Sequence, residues 1–270
     1  MFEPMKPAPP VTRERMSGGM LSGTRTAVAR AADRPRGVAG AVGSVAGVAG
    51  LFVTFEGIDR AGKTTQARML CEALGDDALA VREPGGTVVG ERVRELVKDP
   101  SVEVSAEAEA LLFAAARAEL VARIIAPALA DGRVVVSDRY LDSSLAYQGA
   151  ARGLGVEKVA RINSFATAGL VPDLTLLLVL NPRAAGDRAG EADRFEAEGT
   201  ALQASVLEAY EALAADDSGR WRRIDADRPV EEVHAEVLEA VRGARVGAGG
   251  ADDTETRAGG VETRAAEARP

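Results

Sequence analysis

The chain has little of what most catalytic and metal centres are built from. Among its 270 residues are one cysteine, Cys71, one histidine, His234, one tryptophan, and an aromatic content of 4%. A single cysteine excludes an intrachain disulfide framework and any cysteine-based zinc cluster. A single histidine excludes histidine-built metal sites and argues against a Ser-His or Cys-His triad. Both residues read as structural or solvated. Excess positive charge is also missing: 33 Lys+Arg against 41 Asp+Glu leave a net charge of −8. A general nucleic-acid binder would carry a basic footprint, so no nucleic-acid partner is expected. The stretch from Gly37 to Phe55 has no charge, but it contains five glycines and its end reads better as a buried strand. Neither a membrane span nor an export signal is expected, and the compartment that fits is a reducing cytoplasm.

What is present divides the chain in three. Residues 1–50 are rich in Gly, Ala, Pro, Ser and Arg, follow no period, and carry +4. Residues 243–270 hold almost no large apolar side chain and carry −1. Neither piece buries enough apolar area to offset its ordering entropy, so both are expected to be disordered. Residues 51–242 form the expected domain, 192 residues with −11. A hydrophobic fraction of 46% suffices for its core.

Within the domain, apolar runs of strand length alternate with helix-length stretches. The runs are Leu51–Phe55, Ala78–Arg82, Arg133–Ser137, Leu174–Leu180 and Trp221–Asp225. Continuous rather than alternating apolarity fits strands covered on both faces, and the β/α alternation fits a parallel sheet. The longest helical stretch runs from Ser105, a natural N-cap followed by Glu107 and Glu109, to Asp131, where Gly132 stops it.

The segment Gly57-Ile58-Asp59-Arg60-Ala61-Gly62-Lys63-Thr64 has the spacing G-x-x-x-x-G-K-[ST]. It follows the first strand and opens the helical run ending at Leu74, which is the context this motif requires. Its glycines let backbone N–H groups face inward around phosphate oxygens, and the helix N-terminus adds a favourable dipole. Lys63 would reach the β- and γ-phosphates, and the Thr64 hydroxyl would sit on Mg²⁺. A nucleoside triphosphate and magnesium are implied, but not the reaction. A guanine-reading Asn-Lys-x-Asp is absent, and 192 residues are few for a motor ATPase.

A small kinase also needs an acceptor site. Arg82 and Arg139 each end an apolar run, where an open parallel sheet binds its ligands. Guanidinium forks suit phosphate oxygens, although each arginine would serve equally well in a structural ion pair. Phe113 and Arg117 share a helix face and could stack on a base and bond its edge. An apolar core residue beside a solvated charge explains that pair as well.

Four segments together carry a resemblance. Phe55–Thr65, then Arg82-Glu83-Pro84-Gly85-Gly86-Thr87, then Asp138-Arg139-Tyr140 through Ala146-Tyr147-Gln148-Gly149, then Asp193-Arg194-Phe195-Glu196 resemble the bacterial thymidylate kinases in order and spacing. The resemblance spans essentially residues 51–242 and implies an α/β P-loop NTPase fold. That fold is a three-layer sandwich, with a parallel five-stranded sheet, helices on both faces and a mobile lid. The implied reaction moves the γ-phosphoryl group of ATP to dTMP, with Mg²⁺ as cofactor, and gives dTDP for dTTP synthesis. For ATP it implies the loop Gly57 through Thr65, with Arg188 packing on adenine. For dTMP it implies Phe113 stacked on thymine, Arg117 at O4 and Ser144 at the base. Arg82 and Arg139 would hold the phosphate, Tyr147 would crowd the 2′ position, and Gln148 belongs to the same set. Asp59 would contact the 3′-hydroxyl and help Thr64 organise the metal.

Members differ in where the arginine that neutralises the transition state sits. Arg60 in the phosphate loop implies the version acting from there, with Lys63 and Arg139. The lid stretch, Arg183 to Gly199, is short and arginine-poor, which leaves the roles of Arg183, Arg188 and Arg194 open. Homodimers are common among such proteins. The competing readings are another nucleotide kinase and a non-catalytic nucleotide sensor.

Overall fold

The structure is a computed structural model, and it describes residues 50–187 and 199–249. The elements in chain order are β1 (Leu51–Glu56), α1 (Lys63–Leu74), β2 (Ala78–Arg82), α2 (Val88–Lys98), α3 (Ala106–Leu120), α4 (Ala126–Ala130) and β3 (Val134–Asp138). They continue as α5 (Leu141–Ser144), α6 (Val156–Ala166), β4 (Leu174–Val179), α7 (Pro182–Asp187), α8 (Gly199–Asp216), β5 (Trp221–Asp225) and α9 (Val230–Gly249). The five strands form one sheet in the order β2-β3-β1-β4-β5, every pair parallel.

The continuous apolar runs do what their pattern demands. Every residue of the central strand β1 is buried. Val53 lies opposite Val136, and Phe55 opposite Asp138 and Leu176. Alternate residues feed opposite layers, as a period of two requires. Val53, Val134 and Val136 join a large core with Leu70 of α1, Tyr210 of α8 and Val233, Val237 and Val241 of α9. Phe52 and Val135 join a second core with Leu120, Ile125 and Tyr140. Helices therefore cover both faces.

Several boundaries differ from the sequence reading: β1 runs one residue further, to Glu56, and β4 stops one residue sooner, at Val179. The third strand is shifted by one, because the Arg133 backbone N–H donates to the Ala128 carbonyl of the preceding helix at 3.0 Å. The long helix is broken by a π-helical turn at Val121–Ile125. Pro127 follows directly and has no N–H for the carbonyl four residues back, so a widened turn there costs little. The last helix runs to Gly249, seven residues past the expected domain end at 242. Val233, Val237 and Val241 anchor it at a four-residue spacing, and a helix so anchored extends cooperatively past Gly243. Of the expected arm 1–50 and tail 243–270, residues 1–49 and 250–270 lie outside the described residues, as does the middle of the lid, 188–198 with Arg188 and Arg194. Among the described residues, no helix is long and apolar enough to cross a membrane.

Candidate active site

The C-terminal ends of β1, β2 and β3 deliver the site. After β1 the chain must reverse tightly under the sheet edge. Gly57 sits at φ 138°, and a Cβ there would lie 2.5 Å from the Leu178 carbonyl oxygen, so only glycine fits. Gly62, at φ 97°, starts α1 from the left-handed region. Ile58 and Ala61 turn their side chains into the core. Thr64 and Thr65 follow in the exposed first turn of α1.

Two arginines in this region hold backbone conformations that side-chain-bearing residues avoid: Arg60 at φ 62° and Arg139 at φ 71°. Such positions cost on the order of 1–3 kcal/mol each and persist where the surroundings over-determine them. Arg139 is indeed pinned. It pairs with Asp59, donates to the Gly57 carbonyl at 3.1 Å and to Ser143 Oγ at 3.2 Å, and lies 5.2 Å from the Tyr147 ring centre. Burial opposes the charge on Asp59, but Arg139 and Lys63 outweigh it and hold the carboxyl at about 2. Lys63 is buried, with Nζ donating to the Ile58 carbonyl at 2.6 Å. Burial and the nearby Arg139 charge bring its ammonium down to about 8.

A cavity of about 260 Å³ joins these groups to the acceptor residues. Asp59, Arg60, Lys63, Thr64 and Arg139 line one part; Arg82, Phe113, Ser144, Tyr147 and Gln148 also line it. Ten of the expected side chains thus share one wall-to-wall space. Arg82 is half-exposed and meets Glu91 of α2 at 3.1 Å; Glu91 also accepts from the Gly86 N–H at 2.8 Å. Gln148 donates to the buried Glu109 at 2.9 Å.

Arg117 is buried against the cavity residues rather than lining the cavity. Its side chain is 1% exposed and lies one layer behind the cavity wall. It pairs with Glu83 at 2.5 Å, donates to Ser144 Oγ at 3.1 Å and the Tyr140 carbonyl at 3.0 Å, and bonds Asn163 of α6. It reaches the cavity through Ser144 and Glu83, both of which line it. The alternative of a solvated Arg117 is excluded by this burial.

Several contributors had no role in the sequence reading. Asp138 accepts the Thr64 hydroxyl at 2.5 Å, so a second carboxylate joins Asp59 on the Thr64 side of the cavity. Glu56, wholly buried, accepts from the Tyr140 N–H at 2.8 Å, Ser143 Oγ at 2.6 Å and the Tyr210 hydroxyl at 2.7 Å. Burial, and then the Asp142 charge, push its carboxyl up to about 7. Glu56 and Asp138 belong to the motifs and were open to assignment. Asn163, Gln203 and Tyr210 lie on helices far along the chain, and no local pattern marks them.

The donor set suits a hard cation. Thr64, Asp138 and Asp59 offer oxygen only, and among the described residues no group of three or more His, Cys, Asp or Glu could cage a metal by itself. Oxygen donors of this kind are the ones Mg²⁺ takes, with phosphate and water completing its shell. A larger cavity, about 430 Å³, opens between α6, α8 and the turn before β5; Asn163 lines it, but none of the phosphate-loop or acceptor residues does.

Comparison with known proteins gives one answer. The family model described as Thymidylate kinase matches residues 55–237. A thymidylate kinase of Pelotomaculum thermopropionicum is 47% identical over 199 residues, 71% of this chain and 92% of the relative. One from Leifsonia xyli is 48% identical over 195 residues, 70% of this chain and 92% of the relative. The crystal structure of thymidylate kinase from Ehrlichia chaffeensis superposes with a TM-score of 0.61 at 29% identity, covering 72% of this chain and 99% of that one. A phosphate loop and an aromatic-walled acceptor cavity on a five-stranded parallel sheet, with relatives this similar over most of their length, place the chain in the thymidylate kinase family.

Proposed function

We propose that the 260 Å³ cavity is where ATP and dTMP meet, and that its residues divide the work of one phosphoryl transfer. The enzyme transfers the γ-phosphoryl group of ATP to dTMP and gives dTDP and ADP. The observation that carries the division of roles is the joining of an anion cradle, Arg60, Lys63 and Arg139, to an aromatic wall at Phe113.

An oxygen of the dTMP phosphate forms the new bond to the γ-phosphorus while the bond to the β,γ-bridging oxygen breaks. The acceptor oxygen is already anionic, so no general base is required, and catalysis is positioning plus charge neutralisation. Lys63 and the loop backbone hold the ATP phosphates. Arg60 neutralises the charge that grows on the migrating group. Arg82 and Arg139 hold the acceptor phosphate, Phe113 stacks on thymine, and Ser144 meets the base with Arg117 behind it. Tyr147, whose hydroxyl donates to Asp59 at 3.2 Å, closes the space beside the sugar. Thr64 and Asp138, with Asp59 nearby, would hold Mg²⁺, which offsets phosphate charge when bound. Arg188, which lies outside the described residues, would complete the adenine side.

Two broader expectations go with this reading. Leu96 of α2, Leu111 of α3 and Phe165 of α6 are exposed large apolar residues, at 41%, 57% and 92%, on helices that pack together. These helices are the proposed homodimer face. A reducing cytoplasm suits the free thiol of Cys71.

The test is ADP release with ATP and Mg²⁺, comparing dTMP, dUMP, UMP, CMP and thymidine as acceptors. The expected result is preference for dTMP with residual dUMP turnover, since one methyl discriminates by only about 1–3 kcal/mol. Preference for UMP, CMP or thymidine would overturn the base-site roles.

A further inference from the structure

Asp59 is gripped from an unexpected direction. Gln203 lies one turn into α8, the helix that follows the lid, 144 positions from Asp59. Its Oε1 accepts from the Asp59 backbone N–H at 3.0 Å, and its Nε2 donates to Asp59 Oδ2 at 2.8 Å. A carboxamide engaging both backbone and side chain of one residue fixes that residue's torsions. Gln203 is 7% exposed, so water does not readily replace these bonds. The other groups around Asp59 are the cations Arg139 and Lys63 and the Tyr147 hydroxyl. Arg139 pairs with Oδ1, whereas Gln203 and Tyr147 meet Oδ2. Gln203 is therefore a neutral contact that can orient the carboxylate without competing for its charge.

Two helical turns on, and so near the same face, Tyr210 bonds Glu56 at 2.7 Å and Arg139 at 3.3 Å. One face of α8 thus holds the phosphate loop and the acceptor arginine together. Gln203 itself does not line the cavity; Asp59 does.

We infer that Gln203 is a positioning residue for the acceptor: it sets the Asp59 carboxylate toward the sugar 3′-hydroxyl and so ties selection of 3′-hydroxyl nucleotides to the placement of α8. This rests on Asp59 contacting that hydroxyl, as the resemblance to thymidylate kinases implies.

The experiment uses the full chain with ATP and Mg²⁺, and compares dTMP with 3′-deoxythymidine monophosphate in wild type, Gln203→Met and Gln203→Glu. Kinetics give KM for each substrate, calorimetry gives acceptor affinity, and circular dichroism melting confirms that each variant is folded. Wild type is expected to prefer dTMP. Gln203→Met removes both hydrogen bonds at similar volume. It should weaken dTMP binding about tenfold, the size of a lost hydrogen bond to a charged group. It should leave KM for ATP within about twofold and collapse the preference for the 3′-hydroxyl. Gln203→Glu keeps the acceptor for the Asp59 N–H but sets a second carboxylate against Asp59, so it should be the worse variant. Preference retained in both folded variants overturns the role of Gln203 while leaving the Asp59 reading intact. A wild type indifferent to the 3′-hydroxyl removes the Asp59 reading and the inference with it.

Discussion

Removing Glu83 should unfold the protein more readily than any surface change, because of what it strands. Arg117 is 1% exposed and directs its Nε and Nη2 at Glu83, at 2.7 and 2.5 Å. Glu83→Ala leaves that guanidinium buried, with Ser144, Asn163 and the Tyr140 carbonyl as its remaining partners. Truncating one partner of a buried pair costs about 3–5 kcal/mol. In a domain of this size 1 kcal/mol shifts Tm by about 2–4 °C, so a fall of roughly 6–20 °C is expected. The pair is itself imperfectly satisfied: burial raises the Glu83 pKa, and Oε1 has no hydrogen-bond partner among the described residues. Replacing both residues with apolar ones should therefore cost less than the two single changes together. Arg117→Met alone lets Glu83 take up a proton, which limits its cost, but orphans Ser144, Asn163 and the Tyr140 carbonyl at about 1 kcal/mol each. The assay is urea unfolding of wild type, Glu83→Ala, Arg117→Met and Glu83→Leu/Arg117→Met, assembled into a double-mutant cycle. A loss under about 1 kcal/mol for Glu83→Ala, or strict additivity in the cycle, would refute the reasoning.

Three further outcomes are expected. Lys63 must be charged to hold phosphate, and its ammonium sits at about 8, so kcat/KM for ATP should fall as pH rises through that value. Lys63→Arg should abolish that limb of the profile, and an unchanged limb would assign it to another group. Glu56 has its folded-state pKa raised from 4.5 to about 7, so it favours folding most at low pH and loses that contribution as pH rises through 7. Glu56→Gln should flatten stability between those limits, measured by urea midpoints across the range. Arg60→Gly should lower kcat by about 10³–10⁵, the usual worth of an arginine in that role. An unchanged kcat in a quenched-flow or coupled assay would remove Arg60 from the mechanism.

The sequence by itself determined whatever depends on neighbours along the chain. Five apolar runs became five strands because burial on both faces demands continuous apolarity, and two of them, Ala78–Arg82 and Trp221–Asp225, kept their bounds. The phosphate loop was legible because each of its residues answers a local need, a left-handed turn at Gly62 or a helix start at Lys63. The acceptor motifs were legible because they end strands, and strand ends converge in a parallel sheet. Helix ends were less so: the pull of Val233, Val237 and Val241 on the core carried α9 past a glycine that local propensity would have made its stop. Only the tertiary structure decided which charge meets which. Arg117 could have faced solvent, base or core, and Glu83 and Asn163, 34 and 46 positions away, settled it in the core. The grip of Gln203 on Asp59 spans 144 positions. A hydrogen bond acts over about 3 Å in space and leaves no period in the chain, so partners brought together by the sheet order cannot be read from spacing.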